Sequence, residues 1–366
     1  MISGKGKLRV MMCGSDLKHV KGGMVSVSRN YLDAGEWKHA EVFYIPTHLE
    51  GGRLSKIRIF VWAYGKILWK LLRRQVDVAL LNVSERGSCY RKAAIMRLCH
   101  RFSVPVIFHH HGAEFNDFYS QLSGRRKAAI SRALTEVDLN IVLSRRQQKD
   151  ILEKAPGARV GFLYNSVRIG QQNPYGGGRN LLVTFGRLGE RKGTYDFLTV
   201  LRQLDAELPP EIQVALCGDG DVEQIRALVK EYHLEHRVLH VGWVTGKKKE
   251  AFMKRAMVHI LPSYQEVLPM SILETMACGI PNISTRIASI PEVIRDGENG
   301  FLVEPGDIAM LKKRILMLVA DAELRTDFSR AAYETIKAEF SLEHNIRRLE
   351  NIFTRLRQKT MNSDCA

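Results

Sequence analysis

Two glutamates eight positions apart, Glu266 and Glu274, lie in the segment best suited to chemistry. It reads Pro262-Ser263-Tyr264-Gln265-Glu266-Val267-Leu268-Pro269-Met270-Ser271-Ile272-Leu273-Glu274-Thr275-Met276-Ala277-Cys278-Gly279. Glu266 falls in a loop broken by Ser, Tyr and Pro. Glu274 falls one turn inside a helix expected to start at Pro269 and stop at Gly279, with Pro281 just beyond. The first amides of a helix have no partner within it, so the entry stretch Val267-Leu268-Pro269-Met270 is expected to face a phosphate. A carboxylate at 266 would repel phosphate but suits sugar hydroxyls, and one at 274 suits the paired hydroxyls of a ribose. A sugar-nucleotide has all three parts. A strand, a turn and a helix with two solvated glutamates would leave the same pair, so the pair alone does not decide.

Other loops carry residues of matching character. In Gly186-Arg187-Leu188-Gly189-Glu190-Arg191-Lys192-Gly193 the cations Arg187 and Lys192 can grip a diphosphate with a planar fork and a point charge. A charged surface turn would read the same way. Cys217-Gly218-Asp219-Gly220-Asp221 holds an Asp-x-Asp triplet, but its glycines place it in a βα turn, where Asp219 or Asp221 suits a helix N-cap and no metal is expected. Trp243 and Val244 follow an apolar run where a base could dock on backbone groups. In the first half, Gly22 and Gly23 open a helix and let backbone approach a phosphate or sugar, or simply make a turn. His109, His110 and His111 cannot share one ion, since consecutive residues of an extended strand alternate faces. One is expected in the core, one at the surface, and His111, nearest the loop, turned toward a ligand.

Short apolar runs separated by helical stretches must position these loops. They fall at 8–13, 41–45, 78–81, 104–108 and 139–143, and again at 181–185, 213–216, 238–241, 258–261 and 281–284. That rhythm means βαβ units and parallel sheets, an α/β protein. Residues 170–178, rich in Gly and Gln, read as a flexible link. The expected architecture is two Rossmann-like doubly wound domains, 1–170 and 171–340, facing an interdomain cleft, with ligands at the C-terminal strand ends. A chain of 366 residues with 45% hydrophobic content is long enough for both. Six scattered cysteines without a C-x-x-C pair argue against a zinc site or a disulfide framework and fit a reducing cytoplasm. The apolar run at 10–13 reads as a first strand, not a signal peptide.

In their order, these segments resemble the retaining glycosyltransferases of family 4, which have the GT-B fold. That family's E-x7-E signature joins a Pro-Ser loop before the first Glu to a Leu-Glu-x-Met-Ala-x-Gly helix carrying the second. The similarity runs through Gly22-Gly23, His111-Gly112, Asn165, Gly186-Arg187, Lys192-Gly193, Gly218-x-Gly220, Gly242, Glu266 with Glu274, Pro291-Glu292 and Gly297-x-x-Gly300, nearly the whole chain. It implies transfer of a hexose from a nucleoside-diphosphate sugar, UDP-linked first and GDP-mannose second, with retention and without a metal or other cofactor. Arg187 and Lys192 would neutralise the donor diphosphate, Glu266 would contact the transferred sugar, and Glu274 would hold the ribose. His111 and the Gly22-Gly23 loop would complete the site on closure, and residues 341–366 would cross back onto the first domain. Two departures stand out: Thr275 where the family has Ala, and Val267-Leu268-Pro269 where Gly-Phe-Pro is commoner.

Charge is lopsided. Residues 1–170 hold 29 Lys and Arg against 13 Asp and Glu, an excess of 16, while residues 171–366 hold 26 of each. The entire net charge of +16 belongs to the first half. Within it, residues 52–74 interleave Trp62 and Trp69 with Lys66, Lys70, Arg73 and Arg74 at helical spacing. This is too short and too charged to span a bilayer, yet suited to lie on one with its tryptophans at headgroup level. A helix packed on the sheet is the plainer reading. The basic half predicts an anionic membrane surface and a glycan or polyprenyl-diphosphate-linked acceptor, hence a cytoplasmic protein held peripherally on the inner face of the cell membrane. A soluble acceptor is the alternative. A basic nucleic-acid-binding α/β protein is the rival of another class, disfavoured because the cations are dispersed and no nucleic-acid motif is present.

Overall fold

A computed structural model of the chain describes residues 6–35 and 37–364. It divides into two units, one formed by residues 1–166 with 342–366 and one by residues 167–341. The first unit contains β1 (Leu8–Ser15), α1 (Gly23–Leu32), β2 (Ala40–His48), α2 (Arg53–Leu72), β3 (Val78–Val83), α3 (Gly87–His100), β4 (Val106–His110), α4 (Phe115–Ser120), α5 (Gly124–Glu136), β5 (Leu139–Val142), α6 (Arg145–Lys154) and β6 (Val160–Phe162). Its six strands are parallel and ordered β2-β1-β3-β4-β5-β6. Strand and helix alternate because the central strands are apolar on both faces, so a helix must cover each side. Val78–Val83 is buried throughout, and so is Val106–His110.

The second unit repeats the plan with β7 (Leu181–Phe185), α7 (Thr194–Leu204), β8 (Gln213–Cys217), α8 (Val222–Glu231), β9 (Val238–Gly242), α9 (Gly246–Arg255), β10 (Ala256–Leu261), α10 (Met270–Met276), β11 (Asn282–Thr285), α11 (Ile290–Val293), β12 (Gly300–Val303), α12 (Ile308–Ala320) and α13 (Ala322–Glu339). The strand order is β12-β11-β10-β7-β8-β9, again parallel. The final helix, α14 (Leu342–Asp364), belongs to the first unit. Phe353 stacks on Trp37 with ring centroids 6.1 Å apart, and Glu350 accepts from the amides of His39 and Ala40.

The division between units falls at Ser166/Val167, a few residues before the expected 170/171. Val167 donates to the Phe340 carbonyl at 3.0 Å, which ties it into the second unit. The supposed flexible link is also anchored there: Asn173 donates to Ser329, and the Tyr175 hydroxyl donates to the Met257 carbonyl at 2.9 Å. Strands β6 and β12 were not among the expected runs. Five cysteines are free thiols, and Cys365 lies outside the described residues.

Candidate functional site

Each sheet changes winding direction once, between β1 and β3 in the first unit and between β7 and β10 in the second. Open α/β sheets bind ligands outside the carboxyl ends of their strands at that point. In the second unit the two chains leaving there are residues 186–193 and 262–269. They are laced to each other and to the loop after β8. Tyr264 donates its amide to Arg191 O at 2.9 Å, Leu188 donates to Asp219 O at 2.6 Å, and Asp221 donates to Leu188 O at 3.1 Å. Two glycines make this possible. Gly193 has φ +66° and Gly220 φ +100°, and a Cβ would strike the Pro262 carbonyl in the first case and the Leu188 carbonyl in the second.

The two glutamates each hold a lysine. Glu266 Oε1 accepts from Lys192 Nζ and from Ser263 Oγ, the latter at 3.1 Å, and both charged side chains are largely enclosed. Glu274 Oε2 accepts from Lys249 Nζ at 2.6 Å. Lys249 lies on α9 and also stands 5.6 Å from the centre of the Phe185 ring. Beneath both pairs is His259, fully buried on β10. Its Nδ1 lies 2.6 Å from Asn282 Oδ1. Burial pushes it down to about 4, Asn282 opposes that shift, and Lys249 and Lys192 add to it. His259 is therefore neutral, with Nδ1 as donor, a rigid floor under two cations. Thr275, the departure from the family pattern, donates to Ser271 O at 2.7 Å and reaches Asn282 Oδ1 at 3.1 Å, so its hydroxyl joins this floor.

Arg187 is exposed and has no ion-pair partner among the described residues. Pro269 is the N-cap of α10 and Gly279 is left-handed at φ +66°, so the helix starts and stops where expected. Val267, Leu268 and Met270 are buried. Gly218 sits so close to Gly186 O that no side chain fits. Trp243 is exposed and Val244 buried. Asp221 is the N-cap of α8, but its side chain makes no capping bond and accepts instead from the Tyr195 hydroxyl at 2.9 Å, which corrects the capping role expected of it.

Sequence reasoning missed Lys249. It lies in Lys247-Lys248-Lys249, which reads as a solvated helix face. Only the tertiary fold brings it to Glu274. Ser263 was within the motif but had no assigned role, although a hydroxyl three residues before a loop glutamate is the signal that could have found it.

In the first unit, Gly22 caps α1 at φ +124°, and both Gly22 and Gly23 leave exposed backbone. The histidine run departs from expectation. Neither His109 nor His110 is at the surface: both are buried, His110 Nε2 lies 3.0 Å from Asn140 Oδ1, and burial pushes His110 down to about 4. Helices cover both faces of this sheet, so alternation along the strand exposes neither side. His111 is half-buried at the end of β4, its ring 4.1 Å from that of His109, with Nε2 enclosed and unpartnered. Burial pushes it down to about 3, and His110 adds to that.

Helix α2 buries Ala63, Ile67 and Leu71 against the unit. Its other side exposes Leu54 (77%), Val61 (64%), Trp62 (49%), Trp69 (47%) and Leu72 (64%), where a solvated helix would be polar. Lys66 stands over Trp62 at 4.9 Å and Arg73 over Trp69 at 4.3 Å. Arg74 is exposed at φ 51°. Lys70 does not belong with them. It turns inward over Phe43 at 4.4 Å and donates to Gln75. Among the described residues no helix is long and apolar enough to cross a membrane.

Residues 168–335 match the family model described as glycosyl transferases group 1, so the second unit carries a glycosyltransferase group 1 domain. The chain has the GT-B fold of two Rossmann-like units. The solved structure of Anabaena Alr3699/HepE in complex with UDP-glucose superimposes with a TM-score of 0.74 at 17% identity, covering 95% of this chain and 100% of that one. N-acetyl-alpha-D-glucosaminyl L-malate synthase of Bacillus anthracis is 29% identical over 53% of this chain and 50% of its own length. The lipopolysaccharide core biosynthesis glycosyltransferase LpsE of Rhizobium meliloti is 32% identical over 44% of this chain and 46% of its own. The chain thus aligns with about half the length of these relatives.

Proposed function

We propose that this chain is a retaining glycosyltransferase. It takes a hexose from a nucleoside-diphosphate sugar, with UDP the first base and GDP-mannose the second, and places it on a lipid-linked saccharide. The observation that carries the reading is the pairing of Glu266 with Lys192 and Glu274 with Lys249 beside the switch point of the second sheet. With exposed Arg187, three cations face two carboxylates, an arrangement that gains from one more dianion. The donor diphosphate would draw Lys192 toward itself and release Glu266 to the sugar hydroxyls, while Glu274 holds the ribose.

In the transfer step the bond from the anomeric carbon to the diphosphate oxygen breaks, and the nucleoside diphosphate leaves with the electron pair. The acceptor oxygen attacks the same face, and its proton passes to the departing diphosphate oxygen. Arg187, Lys192 and Lys249 stabilise the charge that develops there, the work a divalent ion would otherwise do. Transfer is therefore metal-independent.

Support for the donor comes from the UDP-glucose held by a protein of the same fold, and for a cell-surface glycan product from the lipopolysaccharide role of LpsE. The outward apolar stripe of α2, edged by Lys66 and Arg73, supports contact with an anionic membrane surface where a polyprenyl-diphosphate-linked acceptor would reside, at the cytoplasmic face. The test incubates purified protein with UDP-glucose, UDP-N-acetylglucosamine or GDP-mannose in EDTA. Anionic vesicles carrying a polyprenyl-diphosphate saccharide are the acceptor. One sugar should transfer with its anomeric configuration kept. An inverted product, or transfer that needs a metal, contradicts the mechanism.

A further inference from the structure

The switch point of the first unit carries cations that no carboxylate answers among the described residues. Lys92, on α3, is 1% exposed, and its Nζ donates to Thr47 Oγ1 near the end of β2. Thr47 in turn donates to the Gly14 carbonyl near the end of β1 at 3.0 Å. Arg91 beside it is half-buried and folds back over Gly87, where a Cβ would come within 2.9 Å of its Nη1. Its Nε is enclosed with no hydrogen-bond partner. His48, the last residue of β2, has Nδ1 3.4 Å from Ser15 Oγ. Burial first, then Arg91, Lys56 and Lys92, push His48 down to about 4, which puts each of the three cations within electrostatic reach of the His48 ring.

None of Lys56, Arg91 and Lys92 forms an ion pair among the described residues. The nearby acids are committed elsewhere. Glu85 accepts from the Glu114 amide at 2.7 Å, and Asp16 holds the amides of Lys18 and His19 together with the His19 ring. The adjoining thiols Cys13 and Cys89 are each pushed up to about 12, chiefly by burial, and so stay neutral. A buried charge without a counterion is costly, and an enclosed Nε–H without an acceptor adds to that cost. One anion entering from outside would offset that charge.

We propose that His48, Arg91 and Lys92 form a site for a phosphate or diphosphate group. Arg91 and His48 touch the anion, and Lys92 supplies charge from beneath. His48 from β2 and the cations of α2 and α3 offer donors from three elements, which suits a tetrahedral dianion better than a carboxylate. That this anion belongs to the acceptor rests on the glycosyl-transfer reading; that the site binds it does not.

The test follows the His48 ring by NMR in the full chain, with the resonance assigned by its loss in His48→Asn. Inorganic pyrophosphate at millimolar concentration should raise the His48 titration midpoint by roughly one pH unit or more, because an adjacent anion favours the imidazolium. In Arg91→Gln the rise should fall to a few tenths. A His48 midpoint that ignores pyrophosphate in the wild type overturns the site, and so does an equal rise in Arg91→Gln.

Vesicles of phosphatidylcholine with and without a polyprenyl diphosphate separate the two sources. A response to the diphosphate lipid at a concentration where pyrophosphate is silent assigns a lipid headgroup, and the reverse assigns a soluble phosphate. Nucleotide binding is measured on the same samples. Loss of nucleotide binding with a normal His48 response would sink the glycosyl-transfer reading and leave this site standing. The opposite result would do the reverse.

Discussion

The two switch points solve the same problem with opposite charge arrangements. In the second unit Glu266 faces Lys192 and Glu274 faces Lys249, so the site is nearly neutral when empty. In the first unit Arg91, Lys92 and Lys56 form no ion pair among the described residues, and buried Lys92 donates to the Thr47 hydroxyl. The imbalance runs through the chain, with an excess of 16 positive charges in residues 1–170 and none in residues 171–366. A matched site can stand empty at little cost and take a ligand by exchanging partners. An unmatched one is strained until its anion arrives. The first suits a donor that comes and goes each turnover, the second an acceptor whose own charge completes the fold.

The largest expected effect comes from breaking the match in the second unit at its enclosed end. Glu266→Gln should lower turnover by roughly 10²–10³-fold, the scale of removing one group aimed at the reacting centre, while nucleotide affinity stays within about threefold. Equal losses in turnover and affinity would make Glu266 a binding residue only.

Next is the mismatch in the first unit. Burial lowers Lys92 from 10.5 to about 8, so the native state disfavours its charged form. The penalty is full below pH 8 and is relieved as pH rises from 8 toward 10.5, where the unfolded lysine keeps a proton the folded one has lost. By the shift it is worth about 3 kcal/mol. Lys92→Met should therefore be more stable than wild type at pH 7, by roughly 2 kcal/mol once the lost Thr47 bond is counted, with the gain shrinking above pH 8. Denaturant midpoints at pH 7 and pH 9.5 check this, and a destabilised Lys92→Met at pH 7 would refute it.

A smaller effect is expected where the match is more open. Lys249→Ala leaves Glu274 without its partner and should weaken nucleoside-diphosphate affinity about tenfold, a loss of about 1.4 kcal/mol. Unchanged affinity would mean that the Glu274 pair lies outside the donor site. The smallest effect concerns α2. Replacing Lys66 with Gln should weaken binding to anionic vesicles by about 1 kcal/mol at low salt, with the difference fading as salt rises. Lys70→Gln should do much less, because Lys70 turns inward over Phe43. Equal effects at the two positions would deny α2 its outward face.

What the sequence made legible follows the range of the forces involved. The strand at 181–185 is an apolar run interrupted only by the β-branched Thr184 and closed by a glycine, and it is found in the structure residue for residue. The helix from Met270 to Met276 was readable from Pro269 and Gly279 alone. Strand Val160–Phe162 was not, because it is three residues long and only half-buried at a sheet edge. Gly300–Val303 was seen as a motif without its strand, since a glycine start hides the apolar run. The glutamates of the candidate site stood out by spacing, but their lysine partners come from other loops and helices. Lys249 in a lysine run looks solvated until the chain folds, and Lys192, expected to grip a diphosphate, is found holding Glu266. The surface histidine expected of His109 and His110 is missing for a related reason: alternation along a strand marks exposure only when one face of the sheet is open, and both are buried.

The laced loops of the second unit should bind a nucleoside diphosphate. Calorimetric titration of the full chain with UDP, GDP and ADP in EDTA tests that directly. Micromolar binding of one of the three, weakened at least tenfold by Arg187→Ala, is the predicted result. Silence with all three, or binding that neither Arg187→Ala nor Lys249→Ala disturbs, would contradict it.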